Sequence, residues 1–233
     1  MGGIGEEQLK DFNRSLLFFL PKKPSGSAAN GESIFEAANV RPLNVTNSDN
    51  RLIASAIRGL IEPIVGPRIM EVQRGFVGGR SMIANLLDVD CAMISGAFES
   101  DDAAALFFDF AAASPSVEQD FMMRVFEKLG WPRWLLNVVS VLYEFNICVI
   151  VMGGMRHDGF AITRGVRQGC PLSPLLFAVA SDALLRRILR LVPGGVVRAY
   201  ADDTALIHHH IWDHLPVVEG IFADFSEIAG GCG

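Results

Sequence analysis

The chain has 233 residues, half of them hydrophobic, with a formal net charge of −6 and a positive mean hydropathy. This composition excludes a largely disordered chain and is enough to bury a core in one large domain or two small lobes. The acid excess speaks against a protein that grips nucleic acid by bulk charge, since phosphate contacts need Lys and Arg.

The opening stretch, MGGIGEEQLKDFNR, is acidic and lacks the basic-then-apolar order of a signal peptide; Glu6 stands where a myristoylation pattern needs Ser or Thr. LLFFLPKK (16–23) predicts a strand ending in a basic turn, and 24–32, rich in Ser, Gly, Ala and Asn, a loop. From 48 to 64, Leu52, Ile53, Ile57, Leu60 and Ile61 recur at helical spacing, with Pro63 and Gly66 as the expected stop. GFVGGRS (75–81) reads as a glycine-rich turn and 82–89 as a helix. AAALFFDF (103–110) has the continuous apolar character of a buried strand, yet carries Asp109.

Ser116 with Gln119 forms a capping-box pattern for a helix reaching Leu129, closed by Gly130. Pro132 opens a helix to about Tyr143. Residues 146–152 and 160–162 predict paired strands around the loop GGMRHDG. Ser173–Pro174 suits an N-cap and first helical residue of an apolar helix to Leu191, which Pro193–Gly194 stops. Residues 196–207 predict a hairpin and 215–228 an amphipathic helix. There is no internal repeat, and helices interleaved with antiparallel strands indicate an α+β fold.

The long apolar window 135–155 is broken by Asn137, Glu144 and Asn146, so no membrane span is expected. Cys91, Cys148, Cys170 and Cys232 are widely spaced, without a C-x-x-C pair. They read as reduced thiols of an intracellular protein, cytoplasmic or nuclear. The high apolar content also fits a piece whose outer faces meet further chain. His208, His209, His210 and His214 make a weak zinc pattern, because consecutive histidines point to opposite sides of a strand. Arginine gathers at Arg156, Arg164 and Arg167 and at Arg186, Arg187 and Arg190, while acid gathers in 88–102.

Carboxylates in apolar strands need a partner or a metal, because desolvating a charge is costly. Asp109 meets that description, as do Asp202 and Asp203 in AYADDTALI (199–207). Two readings stay open from the residues alone. The pair occupies a solvated hairpin turn, where Asp is favoured, or it converges with Asp109 on an oxygen-ligand site suited to Mg²⁺.

Six stretches carry a resemblance: LPKK (20–23), RPLNVTNSDNRLIA (41–54), QRGFVGGRS (73–81), FFDF (107–110), RGVRQGCPLSPLLF (164–177) and YADD (200–203). In that order they resemble the reverse transcriptase domain of non-LTR (LINE-type) retrotransposons, and less closely group II intron maturases. The resemblance implies right-hand polymerase fingers and palm, with an antiparallel palm sheet packed on helices. Residues 1–101 would be the fingers-like part and 102–233 the palm, with fingers elements partly interleaved at 131–165.

It also implies an RNA template, a DNA primer and dNTPs as partners, and two Mg²⁺ ions, or Mn²⁺ in their place. Asp109 and Asp202 would bind the metals, with Asp203 in support and the Phe110 carbonyl completing one shell. Gln168 and Gly169 would line the pocket for the nucleotide's sugar and base. Arg41 and Arg51 are the candidates for triphosphate or template, and Gln73, Gly75, Phe76 and Arg80 match the block flanking the template. Each has a plainer reading too, such as a surface ion pair for Arg41 or a simple turn for Gly75. An RNA-dependent RNA polymerase shares the palm logic but fits RGVRQGCPLSP poorly.

Two departures stand out. Five positions after Asp109, where the family places an aromatic residue that blocks a ribose 2′-hydroxyl, this chain has Ser114. After 222–233 the family continues to a lysine-bearing segment and a helical thumb, which leaves the thumb absent here. The expected function is therefore an RNA-directed DNA polymerase domain. The alternative is a truncated, catalytically inactive retroelement remnant that keeps the fold and nucleic-acid binding. If Ser114 leaves the sugar gate open, Ser114→Phe should shift incorporation from rNTP toward dNTP in single-nucleotide extension; an unchanged ratio would refute the gate assignment.

Overall fold

A computed structural model describes residues 5–36, 39–110 and 113–229, with the side chains of 113 and 114 left out. The chain runs through α1 (Glu6–Asn13), β1 (Ser15–Pro21), β2 (Gly26–Ser27), β3 (Ser33–Ile34), β4 (Val40–Thr46), α2 (Ser48–Val65) and α3 (Met82–Glu99). It continues with β5 (Ala104–Phe108), α4 (Ala113–Ser116), α5 (Gln119–Lys128), α6 (Arg133–Tyr143), β6 (Cys148–Met152) and β7 (Met155–His157). Last come α7 (Ser173–Leu191), β8 (Val196–Tyr200), β9 (Asp203–His208) and α8 (Ile211–Ala229). The mixture of helices and mainly antiparallel sheets is α+β, as the pattern predicts.

Two sheets organise these elements. The first has the order β4-β1-β6-β7: β1 lies antiparallel to β4 and parallel to β6, with Ser15 opposite Cys148. Its inner end is fixed by Asn13, whose amide donates to the carbonyls of Val141 (2.7 Å) and Glu144 (2.6 Å). The second sheet is antiparallel, in the order β5-β9-β8. β2 and β3 form a separate small hairpin within the segment predicted as loop.

Helix α7 is the most buried helix. Leu175, Leu176, Phe177 and Val179 enter one hydrophobic cluster with α5 and α6. Leu184, Leu185 and Ile188 enter a second with β8, β9 and α8. In the first cluster Phe126 is fully buried and stacks on Trp131 at 4.2 Å between ring centres. Gly130 makes the turn between them with φ 74°, a conformation that L side chains resist.

Several boundaries differ from those the sequence predicts. Pro63 does not stop α2: it sits on the exposed side of the last turn, where the lost hydrogen bond costs least, and the helix runs on to Val65. α3 extends to Glu99 because Gly96 lets it press onto the second sheet, a Cβ there lying 3.3 Å from the Ala103 Cβ. The Ser116–Gln119 capping box does not form. Glu118 is instead extended, bridging Arg164 and donating its N–H to the Ala229 carbonyl, so α5 begins after it.

The 103–110 strand is not a buried strand. β5 is a sheet edge, with Leu106 and Phe108 turned toward the core and Phe107 66% exposed. In GGMRHDG, Gly153 and Gly154 both take positive φ and close a tight hairpin, which makes Met155–His157 a strand. Ala161 then bridges back to Ile147. Ser173 is the first residue of α7, with its hydroxyl 2.8 Å from the Tyr143 hydroxyl. α8 starts at Ile211, earlier than predicted, with Pro216 inside it. Among the described residues, no helix is long and apolar enough to cross a membrane.

Phe126→Ala should destabilise the fold by about 3–5 kcal/mol through the cavity it leaves beneath Trp131. Urea unfolding followed by tryptophan fluorescence checks it, with a lower midpoint and an unchanged slope expected.

Candidate active site

The site is built on one tight turn. Tyr200 pairs with Asp203, leaving Ala201 and Asp202 as the two turn residues, and Ala201 has φ 59°. A left-handed alanine costs on the order of 1–2 kcal/mol, so its surroundings must hold it there. On the other side, Phe108 pairs with Thr204, so Asp109 emerges from β5 beside the start of β9 at Asp203. Register alone therefore brings Asp109, Asp202 and Asp203 to one end of the second sheet. Asp202 is half-buried, and Asp109 and Asp203 are exposed, so the expected cost of full burial is relieved by solvent.

What remains is mutual repulsion. The Asp203 carboxyl is pushed above the ordinary carboxylate range by partial burial, then by the charges of Asp202 and Asp109. Among the described residues, none of the three pairs with a cation. The contrast with Asp88 on α3 is instructive. There Arg198 (2.9 Å) and Arg74 (2.6 Å) both bind the carboxylate and hold its pKa down.

Three convergent carboxylates without a counter-cation fit divalent metal. Among the described residues no group of three His, Cys, Asp or Glu side chains is arranged to hold a metal ion. Mg²⁺ is usually held by one or two carboxylates together with waters and substrate phosphates. Phe110, whose carbonyl was expected to complete a shell, packs its ring at 5.8 Å from Phe222 and 6.3 Å from Phe225.

Two residues expected at the template are turned into the protein instead. Gln73 is fully buried. Its Oε1 accepts from the N–H groups of Gly75 and Ala201, each at 2.9 Å, and its Nε2 donates to the Ala201 carbonyl at 3.1 Å. Arg80 is half-buried and donates to the carbonyls of Met70, Gln73, Gly66 and Ile69, so its fork is spent on folding residues 66–73. Gly75 touches the turn itself: a Cβ there would lie 2.1 Å from the Ala201 nitrogen. Of the four residues expected at the template, Phe76, at φ 63° and 42% exposed, faces outward.

Gln168 and Gly169 occupy the turn before α7 and pack on β4. The Gln168 carbonyl accepts from Asn44 N–H (3.0 Å), and a Cβ on Gly169 would meet the Asn44 carbonyl at 2.7 Å. Gln168 borders a cleft of about 310 Å³ with Asn44, Pro42, Phe160 and Arg164. Beneath it Arg167 is buried, donating to the Leu142 carbonyl and to Asn13. Arg41 on β4 and Arg51 on α2 are exposed. The Ser114 side chain lies outside the described residues.

With this geometry in hand, comparison with protein families matches residues 20–229 to "Reverse transcriptase (RNA-dependent DNA polymerase)". The chain belongs to this family. The curated relatives it resembles are proteins of transposons and retrotransposable elements. A transposon TX1 149 kDa protein of Xenopus laevis is 23% identical over 209 residues, covering 86% of this chain and 15% of that protein. A retrovirus-related Pol polyprotein from the type-1 retrotransposable element R2 of Popillia japonica is 26% identical over 203 residues, covering 83% of this chain and 28% of that one.

The domain thus spans between about a seventh and a quarter of the length of these relatives. Among solved structures, apo telomerase from Candida tropicalis superposes with a TM-score of 0.64 over 99% of this chain and 45% of its own, at 12% identity. That likeness confirms the fold at the level of a reverse transcriptase.

Because the Asp203 pKa is raised in the fold, its ionisation opposes folding: the native state binds the proton more tightly, and stability falls as pH rises through the gap between the ordinary and raised values. Asp203→Asn should therefore raise Tm at pH 7 by about 1–3 °C in metal-free buffer. The gain should shrink as pH drops below about 4; a pH series of thermal melts reads both.

Proposed function

We propose that this domain is an RNA-directed DNA polymerase that adds dNTPs to a primer 3′-hydroxyl on an RNA template. The observation that carries the reading is the end of the second sheet, where pairing brings Asp109, Asp202 and Asp203 together and no cation among the described residues neutralises them. Asp109 and Asp202 would hold two Mg²⁺ ions, or Mn²⁺ in their place, with Asp203 beside them and the Phe110 carbonyl available to one shell. Such ions, when bound, lower the pKa of an attacking hydroxyl and neutralise charge on the attacking and leaving oxygens.

The chain's own residues do the positioning. A two-residue turn presents Asp202 on a short, stiff connection, and β5 delivers Asp109 to the same end through paired backbone. The cleft beside Gln168 and Gly169 would receive the sugar and base of the nucleotide, and Asn44 contributes a buried Oδ1 without a partner there. Arg41 and Arg51, both exposed, would meet triphosphate or template. Template base pairing supplies the sequence information, so few side chains need read it, and a net charge of −6 is tolerable where arginines gather locally.

In this reading residues 1–101 form the fingers-like part and 102–233 the palm. The pairing of β6 with β1 supports the assignment of 131–165 back to the fingers. An RNA partner is supported by a structural neighbour, Candida tropicalis telomerase, solved in complex with the TWJ fragment of telomeric RNA.

Primer extension on an RNA template with Mg²⁺ tests the proposal. The chain should extend the primer, and Asp202→Ala should reduce extension on the order of a hundredfold or more while keeping the same circular dichroism. Equal extension by both proteins, or by neither, overturns catalysis by this chain.

A further inference from the structure

Asp202 has a conspicuous lack: among the described residues no hydrogen bond or ion pair holds its carboxylate, and two like charges stand beside it. Its position must be set through the backbone. The residue before it, Ala201, is in the left-handed region, where alanine does not rest unaided.

One side chain holds both polar groups of Ala201. Gln73 accepts from its N–H at 2.9 Å and donates to its carbonyl at 3.1 Å. The second capacity of each amide atom is also used, Oε1 by Gly75 N–H at 2.9 Å and Nε2 by Ser181 Oγ at 3.4 Å. The glutamine is fully buried and saturated, so it has no group left for a ligand.

The segment carrying it is anchored as firmly. Ala199 N–H donates to the Val72 carbonyl at 2.8 Å, and Arg74 N–H donates to the Ala199 carbonyl at 2.7 Å, laying residues 72–74 along β8 as a short parallel bridge. Gly75, with no Cβ, allows the approach to Ala201. Arg80 fixes the far side through four carbonyls, that of Gln73 among them.

We propose that Gln73 is a positioning residue for the carboxylate site: it clamps Ala201 in the left-handed conformation and so holds Asp202 against the repulsion of Asp109 and Asp203. The inference rests on the metal-binding reading of that site for its consequence, and on the clamp geometry alone for its cause. Releasing the clamp lets Asp202 swing away, which weakens metal binding.

The experiment compares the unmodified chain with Gln73→Met, Asp202→Ala and a core variant, Val139→Ala. Mn²⁺ affinity is read from the free-ion electron paramagnetic resonance signal, and the hold on Ala201 from hydrogen exchange of its amide. Gln73→Met should weaken Mn²⁺ binding about tenfold or more, the size typical of residues that orient metal ligands. It should also speed exchange of the Ala201 amide, whose acceptor is the Gln73 oxygen. Val139→Ala should lower Tm without changing either reading.

Wild-type Mn²⁺ affinity and Ala201 exchange in a folded Gln73→Met protein overturn the clamp. If the unmodified chain and Asp202→Ala bind Mn²⁺ equally, the metal reading fails, while the exchange of the Ala201 amide still judges Gln73. Should Gln73→Met not fold, hydrogen exchange on the unmodified chain decides. A protected Ala201 amide, whose partner is the Gln73 oxygen, supports the clamp, and exchange at the speed of an open loop overturns it.

Discussion

Like charge held at close range is the constraint around which this fold is arranged. Asp109 and Asp203 stand side by side because Phe108 pairs with Thr204, and Asp202 joins them because the β8–β9 turn has only two residues. Each of those facts belongs to backbone pairing, which fixes position without side-chain neutralisation. Elsewhere the protein answers acid with base, as where Asp88 of α3 meets Arg74 and Arg198. At the tip of the second sheet, no cation among the described residues does so.

Backbone pairing can bear that load because the second sheet leans on α7. The first half of α7 fills the cluster with α5 and α6, and its second half fills the cluster beneath β8 and β9. The turn ahead of the same helix carries Gln168 and Gly169 against β4. A single rigid element thus relates the expected nucleotide cleft to the sheet that bears the carboxylates, and a shift in α7 would disturb both together.

How much of this was legible beforehand follows from which interactions are local. The β8–β9 hairpin was readable because apolar strand residues flank A-D-D, and α7 because Ser-Pro precedes a long apolar run. The six ordered blocks pointed to the family that comparison then established. What escaped depended on distant partners. The cap at Ser116 lost to a bridge between Glu118 and Arg164, and α3 ran past its predicted end because its apolar residues occur all round and hide the period. Gln73 was misplaced at the template because nothing local marks it: its partner Ala201 lies 128 residues away. The close approach of Gly75 to the same residue was equally invisible.

The parallel pairing of β1 with β6 has a consequence for how the chain assembles. Ser15 waits for Cys148, and Asn13 for the end of α6, so the first sheet cannot close until well over half of the polypeptide exists. The second sheet waits longer, since β5 has no partner before β9. Emerging from a ribosome, the N-terminal half would carry β1 with the edge that β6 later covers still open. High contact order of this kind slows folding and lengthens exposure to aggregation.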